Sequence, residues 1–343
     1  MKKIIILLSF LFFFLLDFTY SNLNLKKLSK VTAYDKNFEY NFIKNLNTKD
    51  KFGSFVYDLC TNNFGMKISC KEKKNPKKYK LALIGDSFVE GIGLNFDDTF
   101  AGILEKDLNY DIANLGVRSY SPSNYKEKIL YYIKQGFNFD HIIIFIDISD
   151  IQDEDLRNGK IRDNKKKITN SFKYKNFKEF LKFNFQLSYY TFFKIKNFIR
   201  IRNSSEKIFN DHDAYNEDYP RGSWTYKKNN PHIKNGLHHS LKNMENLVNF
   251  LKKNQIEYSI AVYPWPQQLL FDEQNSIQVK IWKNFCEKNS CKYFFDFFKV
   301  YHEMTEKNDL KKIILNYYFY TDVHFNKKGN RVIANLLKKK IKK

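Results

Sequence analysis

Two segments near opposite ends of this 343-residue chain hold residue types that together could run acyl-transfer chemistry. The first is Gly85-Asp86-Ser87-Phe88-Val89-Glu90-Gly91, placed directly after the compact apolar run Lys80–Ile84. A serine where a buried strand gives way to a loop can present its hydroxyl at the strand's carboxyl end while its backbone N–H faces a substrate oxygen. The second is Thr321-Asp322-Val323-His324-Phe325-Asn326, followed by Gly329 and a helical pattern. His324 could take a proton from Ser87, with Asp322 orienting the imidazole and stabilising its charged form. Ser87, Asp322 and His324 are therefore the candidate catalytic residues, and Asn326 is placed to cap the last helix.

Residues so far apart in sequence need a scaffold that gathers strand ends. The apolar runs 80–84, 111–116, 141–147, 258–263 and 292–295 read as five strands. They are separated by helical patterns near 98–108, 123–135, 238–253 and 275–288, with a last helix at about 326–339. Continuous apolar strands alternating with amphipathic helices indicate a parallel sheet covered on both faces. The expected fold is α/β: a three-layer α/β/α sandwich around a five-stranded parallel sheet, flavodoxin-like.

Residues 151–235 break the alternation, with helical patches near 176–201 and an irregular 203–232 stretch, and read as an insertion beside the carboxyl ends of the strands. Asp153, Glu154 and Asp155 within it read as a solvated loop, not a glycosidase pair. The stiff loop Tyr263-Pro264-Trp265-Pro266 follows the fourth strand directly, which makes Trp265 a candidate for stacking on a sugar ring; Trp224 in the insertion is a second.

At this point the chain resembles the SGNH/GDSL hydrolase superfamily. The resemblance rests on the strand followed by Gly85-Asp86-Ser87, the Asn114-Leu115-Gly116 turn after the second strand, and Asp-x-His before the last helix, over roughly residues 80–340. It implies Ser87 as nucleophile, Asp322 and His324 completing a triad, and an oxyanion hole built from the Ser87 and Gly116 amides and a third donor. The family often has Gly-x-Asn-Asp after the third strand. Here Asp147-Ile148-Ser149-Asp150 stands there, so the third donor would be the shorter Ser149. The Asp-x-His spacing is similar to that of exopolysaccharide O-acetyltransferase-type members, which points to acetyl chemistry on glycans.

The setting follows from composition. Residues Ile4–Leu16 form an apolar run after Lys2 and Lys3, and Asp17 ends it at about 13 residues, short of the roughly 20 that a spanning helix needs. Residues 1–21 read as an export signal, with an uncleaved anchor as the alternative. Residues 22–78 form a polar N-terminal extension with a turn at Asn62-Asn63-Phe64-Gly65, and residues 79–343 the hydrolase-like domain. Cys60, Cys70, Cys286 and Cys291 fall into two local pairs that suit disulfides in an oxidising compartment, with three connectivities open. No CxxC spacing is present, and neither metal nor other cofactor is expected.

The net charge, 59 − 37 = +22, points first to nucleic acid. Only 7 of the 59 basic residues are arginine, however, and base readout and bidentate phosphate capture favour Arg, so no nucleic-acid partner is expected. The charge suits instead a surface working among anionic envelope polymers or at a membrane surface, outside the cytoplasm. The expected function is an exported serine esterase acting on acyl, chiefly O-acetyl, esters of carbohydrate or cell-envelope glycan. A glycan O-acyltransferase with the same triad, or a non-catalytic glycan-binding protein on the same fold, are the alternatives.

Overall fold

The computed structural model describes residues 2–23, 30–160 and 213–342, apart from residues 54, 73–74, 220, 228–231 and 306–308, together with residues 184–189, 191–192, 195 and 199. Helix α1 (Lys2–Leu23) precedes two small antiparallel sheets. A hairpin of β1 (Thr32–Asp35) and β2 (Glu39–Phe42) makes the first, and β3 (Asn47–Phe52), β4 (Phe55–Thr61) and β5 (Lys67–Ile68) the second.

The main sheet holds β6 (Lys78–Ile84), β7 (Ile112–Asn114), β8 (Asn138–Ile146), β9 (Glu257–Val262) and β10 (Phe294–Asp296) in the order β10-β9-β8-β6-β7. Every neighbouring pair is parallel. Five parallel strands with helices on both faces make the three-layer sandwich. Strand β8 shows why: Ile142, Ile144 and Ile146 pack into one core and Ile143 and Phe145 into the other, all buried. Each such aliphatic side chain taken out of water favours folding by about 1.5–3 kcal/mol, which is why a strand apolar on both faces belongs at the centre.

The helices are α2 (Ser87–Glu90), α3 (Phe100–Leu108), α4 (Pro122–Lys134), α5 (Asp150–Lys160), α6 (His232–Lys253), α7 (Pro266–Phe271), α8 (Ile277–Lys288), α9 (Phe297–Thr305), α10 (Leu310–Tyr317) and α11 (Lys327–Ile341). The chain leaves β6 for β7 on one side, then returns past β6 to β8 on the other. That reversal opens a crevice at the carboxyl ends of β6 and β8, the usual ligand position in such sheets.

Several local expectations change. Residues 153–155 belong to α5, not a solvated loop. Glu154 is buried, because Ser121 Oγ and the Ser123 N–H donate to it at 2.6 and 2.7 Å, and Asp153 pairs with Arg221. The helix expected from 238 begins at His232. Of the helical patch near 176–201 and the irregular 203–232 stretch, residues 176–183, 190, 193–194, 196–198, 200–212, 220 and 228–231 lie outside the described residues.

The polar stretch before the sandwich packs tightly on it. Tyr132 Oη donates to the Phe64 carbonyl (2.7 Å), Lys128 Nζ to Asn41 Oδ1 (3.0 Å) and Tyr120 Oη to the Tyr40 carbonyl (2.6 Å). The cysteines join as Cys60–Cys70 and Cys286–Cys291. Helix α1 is anchored near its end, where Asp17 accepts the N–H groups of Leu187 (3.1 Å) and Ser188 (2.8 Å). Among the described residues no helix is long and apolar enough to cross a membrane.

Candidate active site

Strand β6 delivers Gly85, Asp86 and Ser87 into the crevice. Residue 85 has to be glycine: a Cβ there would stand 2.4 Å from Val89 Cγ2 and 3.1 Å from Phe145 Cβ, so a side chain would lift the turn off the sheet. Asp86 caps α2, its Oδ1 accepting the Phe88 N–H at 2.9 Å, and this fixes Ser87 as the first residue of the helix. From the far end of the chain, Asn326 caps α11 through the N–H groups of Lys328 and Gly329. That cap and the Tyr318–Phe325 bridge hold the intervening loop against β6.

The loop brings His324 onto Ser87. Ser87 Oγ lies 2.7 Å from His324 Nε2, and His324 Nδ1 lies 2.6 Å from Asp322 Oδ1. The imidazole is wedged between the Phe88 ring (4.5 Å between centroids) and the edge-on Phe52 ring (5.0 Å), so it has little freedom to leave this line. Burial disfavours the imidazolium, but the hydrogen bond and charge of Asp322, with Asp86 and Asp147 behind, outweigh it and raise the His324 pKa.

Behind the serine, Asp86, Asp147 and Asp150 each bring a carboxylate oxygen to within 4.8 Å of the others, all three buried. Hydrogen-bond donors surround them: Tyr263 Oη on Asp86 (3.1 Å), Trp265 Nε1 on Asp147 (2.7 Å) and Tyr125 Oη on Asp150 (2.8 Å). Ser87 Oγ is also 3.2 Å from Asp86 Oδ2. Burial, then the charge of Asp147, pushes the Asp86 carboxyl up to about 7, and the same two causes push Asp150 well up. Clustered carboxyls of this kind share protons.

A cavity of about 320 Å³ opens over Ser87. Its wall includes Phe52, Ser119, Ser149, Asp153, Tyr219, Arg221, Trp265 and His324. A groove of about 600 Å³ near α3 and α11 is larger, but it carries ion pairs such as Lys71–Asp97 and Lys327–Asp98 and, among the described residues, no histidine. A second Ser–His contact, Ser259 Oγ to His141 Nε2 at 2.8 Å, lies at the amino ends of β8 and β9, away from the crevice.

Two expected site residues are placed differently. The Gly116 N–H is already donated to Asn114 Oδ1 (3.0 Å), so it is not an open oxyanion donor. Its lack of a side chain serves packing, since a Cβ there would meet the Glu90 nitrogen at 2.4 Å. Trp224 is a core residue: it is buried, its Nε1 donates to the Ile148 carbonyl (3.0 Å), and it does not line the cavity. Trp265 is buried as well but does line the cavity, with Tyr219 at 6.2 Å between ring centroids. Ser149 lines it too; its N–H goes to Asp147 Oδ1 (2.7 Å), which leaves the hydroxyl as its contribution.

Ser119, Arg221 and Tyr219, which the sequence did not single out, line the cavity together with Asp153, which it read as part of a solvated loop. Ser119 has φ of 60°, rare for a residue with a side chain, and borders the cavity. Its N–H and that of Ser87 donate to no acceptor among the described residues. Arg221 is held by Asp153, with Nη2 2.8 and 2.9 Å from the two carboxylate oxygens. The usable signal was scarcity, because an arginine in a lysine-dominated chain marks a place where a planar fork is needed.

No family model matches the chain, and no curated protein matches it. Solved structures are similar to it at low identity. A member of the lipolytic protein G-D-S-L family from Veillonella parvula DSM 2008 is 12% identical, over 74% of this chain and 93% of that one, with a TM-score of 0.40. An alpha/beta hydrolase enzyme from the metagenome of Lake Arreo, Spain, is 11% identical, over 75% of this chain and 92% of that one, with a TM-score of 0.39.

Proposed function

We propose that this chain is a serine esterase that removes acyl groups, chiefly O-acetyl groups, from carbohydrate or cell-envelope glycan outside the cytoplasm. The observation that carries the reading is the unbroken line Ser87–His324–Asp322 at a cavity wall, with contacts of 2.7 and 2.6 Å. Ser87 Oγ attacks the acyl carbonyl as His324 Nε2 takes its proton. The same imidazolium then protonates the departing sugar oxygen, leaving an acyl-serine. Water, deprotonated by His324, attacks the acyl-serine; collapse of that adduct releases the carboxylic acid and returns the proton to Ser87. Asp322 keeps the ring in the tautomer whose Nε2 can accept.

The oxyanion hole of this reading differs from the one expected from sequence. The open amides beside the serine belong to Ser87 and Ser119, and Ser149 Oγ supplies the third donor. Tyr219 and Trp265 give an aromatic wall for a sugar ring. Arg221 on that wall is paired with Asp153, and the lysine-rich surface elsewhere is left to contact anionic polymer. The two disulfides support the oxidising setting.

The aromatic wall also favours a second reading, glycan O-acyltransferase. There a sugar hydroxyl seated on Trp265 would take the place of water in resolving the acyl-serine. The test is release of acetate from p-nitrophenyl acetate and from acetylated polysaccharide by wild type and Ser87→Ala, with and without a deacetylated oligosaccharide as acceptor. Hydrolysis lost in Ser87→Ala supports the esterase, and acetyl transfer to the oligosaccharide supports the transferase. Activity surviving in Ser87→Ala overturns the triad; none in either protein favours a glycan binder.

A further inference from the structure

The esterase reading leaves one hydrogen-bonded network beside the cavity without a task. Arg118 precedes Ser119 and is enclosed by acceptors. Its backbone N–H and Nε donate to Glu90 Oε2 at 2.7 and 3.2 Å, and its Nη2 reaches Glu90 Oε1 and Asp50 Oδ2, the latter at 2.6 Å. Nη2 also meets Tyr57 Oη at 3.2 Å, and Tyr57 in turn donates to Asp50 (2.6 Å). The Arg118 carbonyl accepts Tyr40 Oη at 2.8 Å. One residue on, the Ser119 carbonyl accepts Arg157 Nη2 at 2.9 Å, while Arg157 Nη1 pairs with Glu39 at 2.6 Å.

The partners have a pattern. Glu39 and Tyr40 belong to β2, Asp50 to β3 and Tyr57 to β4, all from the small sheets that precede the sandwich. Glu90 ends α2, the helix that begins at Ser87. The two peptide groups flanking Ser119 are therefore tied to β2, one directly through Tyr40 and the other through Arg157 and Glu39, while the amide and guanidinium of the preceding Arg118 are held by the nucleophile's own helix through Glu90. A left-handed serine is disfavoured and persists only where its surroundings over-determine it. Phe52, at the end of β3, also sits on the cavity wall against His324.

We propose that the N-terminal hairpins are part of the catalytic apparatus, with Arg118 and Arg157 as positioning residues that hold the Ser119 amide open to the oxyanion. This rests on the esterase reading. The network tunes the transition state more than substrate binding, so its loss lowers kcat and leaves KM nearly alone.

The test compares Arg157→Met, Glu39→Gln and Arg118→Lys with Lys128→Met. Lys128 bonds Asn41 in the same hairpin–sandwich contact but touches neither Ser119 nor the cavity. Three quantities are read: p-nitrophenyl acetate hydrolysis, the rate of Ser87 phosphonylation by a fluorophosphonate, and the thermal unfolding midpoint. Glu39 is half-exposed, so Glu39→Gln keeps the experiment open if an arginine variant fails to fold.

The expected result is a fall of about 10- to 100-fold in kcat and in phosphonylation for Arg157→Met and Arg118→Lys, somewhat less than outright loss of an oxyanion donor. Glu39→Gln should show a smaller fall of the same kind, and KM should stay within about twofold in all three. Lys128→Met should lower the unfolding midpoint and leave kcat unchanged. Equal kcat losses in Lys128→Met and the arginine variants, or wild-type kcat in the arginine variants, overturn the proposal while leaving the esterase reading standing. A wild-type chain that neither hydrolyses the ester nor takes the label overturns both.

Discussion

Asp322 Oδ1 accepts two hydrogen bonds from His324, one from ring Nδ1 at 2.6 Å and one from the backbone N–H at 2.9 Å. The Asp-x-His spacing makes this possible, because a carboxylate two residues back can bend onto the following amide as in an Asx turn and still reach the ring. One oxygen thus sets both the loop and the tautomer. His324 has to be neutral to act as base, and its pKa is raised above the usual 6.5 against the opposing effect of burial, chiefly by Asp322. The acid limb of the kcat/KM profile should therefore lie above pH 6.5. In Asp322→Asn the limb should move to lower pH, with kcat down by roughly 10³–10⁴-fold. A pH–rate series on both proteins checks it. In stability terms the pair's contribution is full below the unfolded pKa and is lost as pH rises through the folded one.

Asp86 gives a pH effect on folding. Its carboxyl, pushed by burial and Asp147 to about 7 from the ordinary 3.8, retains a proton that the unfolded chain has already released. Between those values the folded state binds more protons, so stability falls as pH rises across the window. Asp86→Asn keeps an oxygen for the Phe88 N–H and removes the titration. Its unfolding midpoint should exceed that of wild type at pH 8 by several degrees, and its pH dependence between 4 and 7 should flatten. Thermal unfolding of both proteins across pH 4–8 measures this; an unchanged slope would show that Asp86 is not the titrating group.

What could be read in the sequence was set by local signals. The β8 run 141–146 is apolar at every position after His141, a pattern that fits a central parallel strand, and Asn326 is a cap by chemistry and place alike. Gly116 is ambiguous in sequence because a glycine needed for close approach of α2 reads the same as a glycine offering its amide. Ser119 left no trace, since its left-handed backbone is imposed by Arg118 and Arg157 through residues as distant as Glu39 and Asp50. Glu154, one of three consecutive acids, reads as solvated until Ser121 and Ser123 fold onto it.

The distinction between Gly116 and Ser119 is testable by paired substitution. Ser119→Gly suits a φ of 60° and retains the amide, so kcat should stay within a few-fold of wild type and stability within about 1 kcal/mol. Ser119→Val places a β-branched residue there and should cost about 1–2 kcal/mol, with a clear loss of kcat. Gly116→Ala should cost more, about 2–4 kcal/mol, because its methyl collides with the backbone of α2. Urea unfolding and ester hydrolysis on the three variants would separate the two roles. A Ser119→Gly variant without activity would remove Ser119 from the oxyanion hole.

The two tryptophans should part in the same manner. Trp224 buries its ring in the core and donates to the Ile148 carbonyl, one residue after Asp147, whereas Trp265 lines the cavity and donates to Asp147 itself. Trp224→Phe leaves that carbonyl without its donor and a small void. It should cost about 1–3 kcal/mol of stability with KM for an acetylated oligosaccharide unchanged. Trp265→Ala removes an aromatic face from the sugar's side of the cavity and should raise that KM about tenfold or more. It should leave the KM for p-nitrophenyl acetate, which has no sugar ring to stack, much closer to wild type. Steady-state kinetics on the two substrates decides the matter. Equal KM shifts on both would mean that Trp265 shapes the cavity through Asp147, and that no sugar ring rests on it.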